Sequence, residues 1–290
     1  IEAGKDDQRI SALYLDLGGM GGAGLAKLRD IADAIEAFRE SGKPVIAFGD
    51  FYDQGQYYLA ARADEIYLDP HGIANVDGFA RYGMFVKDAI DKLSIDWNVF
   101  RVGEYKSAVE MFTRNDMSAA EREESLVWLG TLWGTYKNDV AAARGLEPDK
   151  LQSYADDAVA ALTAAGGDLA KMALDAGLVT ALEGRTAVEQ RLVQITGENE
   201  DDESYVGVGH DAYLMNVRSQ RALERRSENV VAVVVASGEI VPGEQPAGMI
   251  GSDTLAAQLR DVRLDDSVKA VVLRIDSPGG STFASEVIRR

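Results

Sequence analysis

The chain has 290 residues, 46% of them apolar and 27% charged, with a formal net charge of −18. Its length allows one large domain or two smaller ones, its composition is that of a globular protein, and its acidity repels polyphosphate, which argues against a nucleic-acid partner. It has no cysteine, which excludes disulfides, thiolate nucleophiles and zinc–thiolate sites, and its 2 histidines, His71 and His210, are too few for a His-rich metal site.

In chain order, Ile10–Leu17 reads as a buried strand, followed by a Gly-rich turn and a helix over about Leu25–Arg39. Val45–Phe48 is a short strand after Pro44, Gln56–Arg62 is helical, and Glu65–Leu68 is another short strand. Met84–Leu93 reads as a helix and Ile95–Arg101 as a strand. This is α/β alternation with buried, parallel strands. Beyond Arg101 the character changes. Ser118 and Glu121 form a capping box opening a long helix to about Ala143, whose Leu126, Trp128, Leu129, Leu132, Trp133 and Tyr136 read as packing residues. Asp156–Ala165 and Asp168–Ala176 are shorter helices, and Gly197–Glu203 is a charged, solvated loop. Helical sequence around Tyr213–Arg225 leads to a boundary at Ser227–Asn229. A strand at Val230–Ser237 and a helix near Thr254–Arg260 follow. The longest apolar run, Val230–Ala236, is far too short to cross a bilayer, and the first ten residues have neither the basic nor the apolar region of a signal peptide.

Ser11–Gly22 (SALYLDLGGMGG) and Lys269–Gly280 (KAVVLRIDSPGG) match as an internal repeat. Each is a strand ending in a turn that closes on Gly-Gly and enters a helix. The second copy is preceded by a strand and a helix that the first lacks. The first is followed by Pro44–Arg101, a stretch of which the second lacks a counterpart. The chain is therefore expected to begin and end inside domains, and the natural protein to extend past both termini.

One motif competes with this reading. Gly19, Gly21 and Gly24 satisfy G-x-G-x-x-G between a strand and a helix, with Asp50 where a ribose-binding acid belongs. The second copy, Asp276-Ser-Pro-Gly-Gly280, keeps the paired glycines but loses the fingerprint, and its proline removes an N–H that could meet phosphate. Dinucleotide binding is the weaker reading.

A lysine such as Lys106, in Val99–Met117 (VFRVGEYKSAVEMFTRNDM), is by base rate a solvated surface charge. That segment nevertheless resembles the one carrying the general-base lysine of bacterial signal peptide peptidases of the SppA type, with Lys106 at the lysine position. Gly42–Val45 and Gln54–Leu59 resemble other parts of that family's N-terminal domain. Gly251–Thr254, Val271–Arg274 and Ser277–Ser281 resemble the start of its C-terminal domain.

The resemblance implies tandem α/β repeats of the ClpP/crotonase type with an added helical region after the lysine. Residues 1–228 would be an N-terminal repeat lacking its start, and residues 229–290 the beginning of a second. It implies a Ser-Lys dyad with Lys106 as base, activated by burial for which Val99, Val102, Tyr105, Val109 and Phe112 are the candidate walls. Gly279 and Gly280 resemble the oxyanion-hole turn. No residue here matches the family's nucleophile, expected in a Ser-Gly-Gly turn some thirty residues past the SPGG motif. Its first-repeat counterpart is Gln54, and Ser277, Ser281 and Ser285 read as turn or helix residues. The chain alone is expected to cleave nothing. The resemblance implies no cofactor and no metal, apolar signal-peptide remnants as substrates, and a homo-oligomer. It also implies anchoring to the bacterial inner membrane by a segment upstream of Ile1, with the sites on the periplasmic face. Two other classes share part of the pattern: a crotonase-like acyl-CoA enzyme, which would not need Lys106, and a non-catalytic scaffold.

Overall fold

The structure, a computed structural model, describes residues 1–199, 204–224 and 229–290. The end of the charged loop at 200–203 and most of the boundary at Ser227–Asn229 lie outside the described residues. The chain forms two compact units, Ile1–Gly207 and Val208–Arg290.

In the first unit a short helix α1 (Glu2–Asp6) precedes β1 (Leu13–Asp16), α2 (Leu25–Arg39), β2 (Val45–Tyr52), α3 (Gln54–Ala60) and β3 (Glu65–Ala74). The chain then leaves the sheet for α4 (Lys87–Lys92), α5 (Glu110–Thr113), α6 (Ala119–Arg144), α7 (Pro148–Asp156), α8 (Ala158–Ala164) and α9 (Leu169–Asp175). It returns as β4 (Ala181–Leu182) and closes with α10 (Arg185–Thr196). The sheet order is β1-β2-β3-β4, every pair parallel, so each connection is a helical crossover. The α/β class with a parallel sheet is therefore as the sequence predicts.

The apolar run of β2 is continuous because both faces of the sheet are covered. Val45 and Ala47 enter the main core with Ile35 and Phe38 of α2. Ile46 and Phe48 enter a smaller one with Val188 and Leu192 of α10. Five tyrosines knit the main core, each with its hydroxyl donating. Tyr52 bonds the Tyr67 carbonyl (3.0 Å), Tyr57 that of Leu178 (2.7 Å), Tyr136 that of Gln54 (3.0 Å) and Tyr154 that of Ala74 (2.8 Å), while Tyr58 bonds the Asp139 carboxylate (2.6 Å). Burial raises all five phenol pKa values, Tyr154 to about 12, so they remain neutral donors.

Two expectations fail here. Ile95–Arg101 is not a strand; the segment is irregular and pairs with no strand. The alternation of Ile95, Trp97 and Val99 that suggested one reflects a loop in which Trp97 stacks on Phe112, with ring centroids 4.2 Å apart. The aromatic stripe of α6 is buried only in its second half. Tyr136 is buried and stacks on Trp133, but Leu126 and Trp128 are exposed.

The second face is also held by an ion pair: Arg191 of α10 donates to both oxygens of Glu65 on β3, at 2.7 and 3.0 Å. These bonds hold the Glu65 carboxyl below its ordinary value of 4.5. A depressed carboxylate stabilises the fold above that value and loses its contribution as the pH falls through the folded-state value. Arg191→Gln is therefore expected to cost about 1 kcal/mol at pH 7, and the difference from the parent to vanish in strong acid. Urea titrations at several pH values check this.

The second unit comprises α11 (His210–Glu224), β5 (Val230–Ser237), β6 (Glu239–Val241), β7 (Met249–Gly251), α12 (Ser252–Leu264), β8 (Val268–Asp276) and α13 (Thr282–Arg289). β5 pairs parallel with β8, and β6 with β7. A small core gathers Val234, Ala236, Ile250 and Leu255. The alternate valines of β5, Val231, Val233 and Val235, are exposed. Among the described residues no helix is long and apolar enough to cross a membrane.

Candidate active site

Lys106 lies in the excursion between β3 and β4. The base of the excursion is tied by the Val86 amide donating to the Met111 carbonyl (2.7 Å) and by Asn115 donating to the Asp88 carboxylate (2.7 Å). Gly103, at φ 106°, makes the turn that brings the Lys106 amide to its own carbonyl at 3.4 Å. A Cβ on Gly103 would stand 3.3 Å from Lys106 Cγ, so glycine serves both the backbone angle and the room for the lysine stem.

The expected shielding is absent within this unit. Lys106 is exposed, Val102 and Tyr105 are exposed, and only Val99, Val109 and Phe112 are half-buried. The cause is the missing strand: without sheet pairing, 95–105 runs over the surface rather than through a core.

The loop is held by polar contacts that the sequence reading did not single out. Arg101 Nη1 donates to the Lys106 carbonyl (3.2 Å) and lies 3.7 Å from Glu110 Oε1. Glu110, only 5% exposed, accepts the Ser118 amide at Oε2 (3.0 Å). Ser118 caps α6 by accepting the Glu121 amide (3.1 Å). Glu110 therefore takes the reciprocal place expected of Glu121, and the capping box is only half formed. Glu121 is buried instead against Arg81, with which it pairs. No local feature of the sequence marks Glu110 for this place, because its burial is set by the fold.

Gln54, the first-repeat counterpart of the missing nucleophile, opens α3 directly after β2. Asp53 and Gln56 form a reciprocal capping box there, and Gln56 Nε2 donates to the Leu17 carbonyl (2.9 Å) at the start of the Gly-rich turn. The Gln54 side-chain oxygen accepts the Gly78 amide (2.8 Å). This junction is rigid, but a carboxamide gives it no nucleophilic oxygen.

In the second unit, β8 runs into a turn at 277–281 and then α13. Gly279 and Gly280 have φ of 110° and 153°. Ile240 of β6 clasps the turn, donating to the Gly279 carbonyl (2.9 Å) and accepting the Ser281 amide (2.8 Å). The Gly279 N–H donates to Ser277 Oγ (3.1 Å), whereas the Gly280 N–H has no partner among the described residues. Ser281 caps α13 by accepting the Ala284 amide (3.2 Å), and Ser285 bonds the Ser281 carbonyl (3.0 Å). All three serines here are engaged in turn or helix structure.

Comparison with known proteins gives a consistent picture. The profile of Peptidase family S49 matches residues 37–198, which include Lys106. The chain is 44% identical over 289 residues to "Protease 4" of Salmonella typhi, matching all of this chain and 46% of that protein. It is 41% identical over 290 residues to "Protease 4" of Haemophilus influenzae, again over the whole chain and 47% of the relative. It is 26% identical to "Serine protease SPPA, chloroplastic" of Arabidopsis thaliana, over 98% of this chain and 41% of that protein. The chain thus spans less than half the length of these relatives.

Proposed function

Because the chain belongs to Peptidase family S49, we propose that it forms part of a serine endopeptidase that uses a Ser-Lys dyad to degrade cleaved signal peptides. The observation that carries this is Lys106, within the family-matched span and held on a Gly103 turn. In this reading, a serine encoded beyond Arg290 attacks the scissile carbonyl. Lys106 Nζ accepts the serine proton and later returns it to the leaving amine. The Gly279/Gly280 turn stabilises the oxyanion, with the unpartnered Gly280 N–H as its principal donor. An ammonium must lose its proton before it can act as a base, and burial favours that loss. Lys106 is exposed in this chain, so its cover comes from substrate and from protein outside these residues.

The same proposal reads the chain as tandem ClpP/crotonase-like repeats, residues 1–228 with the helical extension and 229–290 opening the second. The strand–turn–helix runs at β1–α2 and β8–α13 support it. Substrates would be apolar remnants of signal peptides. The working form would be a homo-oligomer at the periplasmic face of the inner membrane, anchored by a segment absent here.

Labelling with a fluorophosphonate probe tests the reading. The full-length gene product is expected to label and this chain to remain unlabelled, with the label lost on Lys106→Ala. A folded full-length protein that does not label would overturn it.

A further inference from the structure

We propose that Arg101 and Glu110 are positioning residues that hold the Lys106 backbone in register for catalysis; this rests on the reading of Lys106 as the base. The loop carrying Lys106 has little packing to fix it. Phe100 and Val102 are almost fully exposed, and beneath the loop an open cavity of about 360 Å³ is lined by Val99, Val109 and Thr113 beside the Arg101–Glu110 pair. With an open hollow and solvent beside it, the loop depends on contacts across itself to set where its carbonyl points. Two of these are local: the Lys106 amide on the Gly103 carbonyl (3.4 Å) and the Glu110 amide on that of Ser107 (2.8 Å).

The third contact reaches the core. Tyr136 of α6 is buried and bonds the Gln54 carbonyl, which fixes α6 against the strand–helix junction of the first unit. The capping residue of α6, Ser118, donates its amide to Glu110. Glu110 pairs with Arg101, and Arg101 donates to the Lys106 carbonyl. The Ser118–Glu110 and Arg101–Lys106 links are hydrogen bonds and set direction, while the Arg101–Glu110 link, at 3.7 Å, is an ion pair that holds the two ends together.

Glu110 suits this role because it stays ionised although buried. Burial pushes its carboxyl up, but the Ser118 hydrogen bonds and the Arg114 and Arg101 guanidiniums outweigh that, and the net shift is down. Arg114 does not compete for the Lys106 carbonyl, because its guanidinium donates to the Asp116 carboxylate (2.8 Å) and carbonyl (3.2 Å).

Misplacing a reacting group by about 1 Å can cost up to 100-fold in rate. The test is made in the full-length gene product on a fluorogenic apolar peptide, with Lys106→Ala alongside. Arg101→Ala and Glu110→Gln are each expected to lower kcat on the order of 10-fold while KM stays within about 2-fold, and Arg101→Lys to restore part of the loss. The thermal unfolding midpoint of Arg101→Ala should stay within a few degrees of the parent, since its side chain lies at the surface and is 44% exposed. Full activity in Arg101→Ala, with Lys106→Ala inactive, overturns the positioning role and leaves Lys106 as base. Activity in Lys106→Ala overturns both. A fall in kcat that merely tracks a fall in unfolding midpoint across the three variants assigns the pair to stability alone and also overturns the proposal.

Discussion

In the full-length gene product, Lys106→Ala is expected to lower peptide hydrolysis by at least about 10³-fold, because on the proposed mechanism a dyad without its base leaves the serine hydroxyl unactivated. Lys106→Arg should be nearly as damaging: a guanidinium remains protonated at any pH at which the fold survives. Neither change should disturb folding. The lysine side chain is exposed, and the loop bonds at this residue use its backbone amide and carbonyl, which substitution retains. Stability should move by no more than about 0.5 kcal/mol. Peptide cleavage and thermal unfolding measured on the same preparations decide the matter, and substantial turnover by either variant removes Lys106 from the mechanism.

Gly280→Ala should have the second large effect, for a different reason. A Cβ at Gly280 would stand 2.1 Å from the Ile240 carbonyl oxygen and 2.7 Å from the Ile240 nitrogen, both backbone atoms that cannot swing away. Either β6 separates from the turn, breaking the two bonds by which Ile240 clasps it, or the turn itself changes shape. We expect a loss of about 3 kcal/mol or more in the second unit and, through the displaced N–H of the proposed oxyanion turn, a fall in kcat of at least about 100-fold. Gly279→Ala provides the control. Its φ of 110° is also unfavourable to alanine, but nothing lies within 4 Å of the added carbon, so the cost is the backbone strain alone, roughly 1–2 kcal/mol. Hydrogen exchange at β6 and α13 distinguishes the two variants. Parent-like protection in Gly280→Ala would show that the clasp is not needed.

What the sequence disclosed, and what it withheld, follows from where the signal for each element resides. β5 is legible end to end because a short, valine-rich apolar run can do little else, and α2 because its apolar spacing follows one helical face. β3 runs on to Ala74, past the predicted end at Leu68 and through Pro70 and Gly72. After a register shift the strand resumes pairing, with Phe51 on Ile73 and Tyr52 on Ala74. Gly72 is part of that shift: a Cβ there would meet the Asp50 carbonyl at 2.5 Å. Ile95–Arg101 misled in the opposite sense, since period-2 alternation records which side chains find contacts, and a loop with one aromatic stack produces it as readily as a strand. At the site, resemblance of the surrounding segment singled out Lys106 as the candidate base, but it did not disclose that the side chain is exposed. Whether a residue is buried depends on chain far away, and neither Arg101 nor Glu110 carries a local mark that distinguishes a relay from an ordinary surface pair.

The outward valines of β5 have a consequence expected for this chain in solution. Val230–Ala236 contains no charge and no proline, and Val231, Val233 and Val235 present a ridge of β-branched side chains to water. Such a segment is a template for intermolecular strand stacking whenever the unit opens. What opposes it is long-range: a net charge of −18 keeps molecules apart in dilute buffer. Salt shortens the reach of that repulsion to about 8 Å at physiological ionic strength and leaves the valine ridge untouched. Colloidal stability should therefore fall with added salt before any secondary structure is lost, and low ionic strength is the condition expected to keep this chain dispersed.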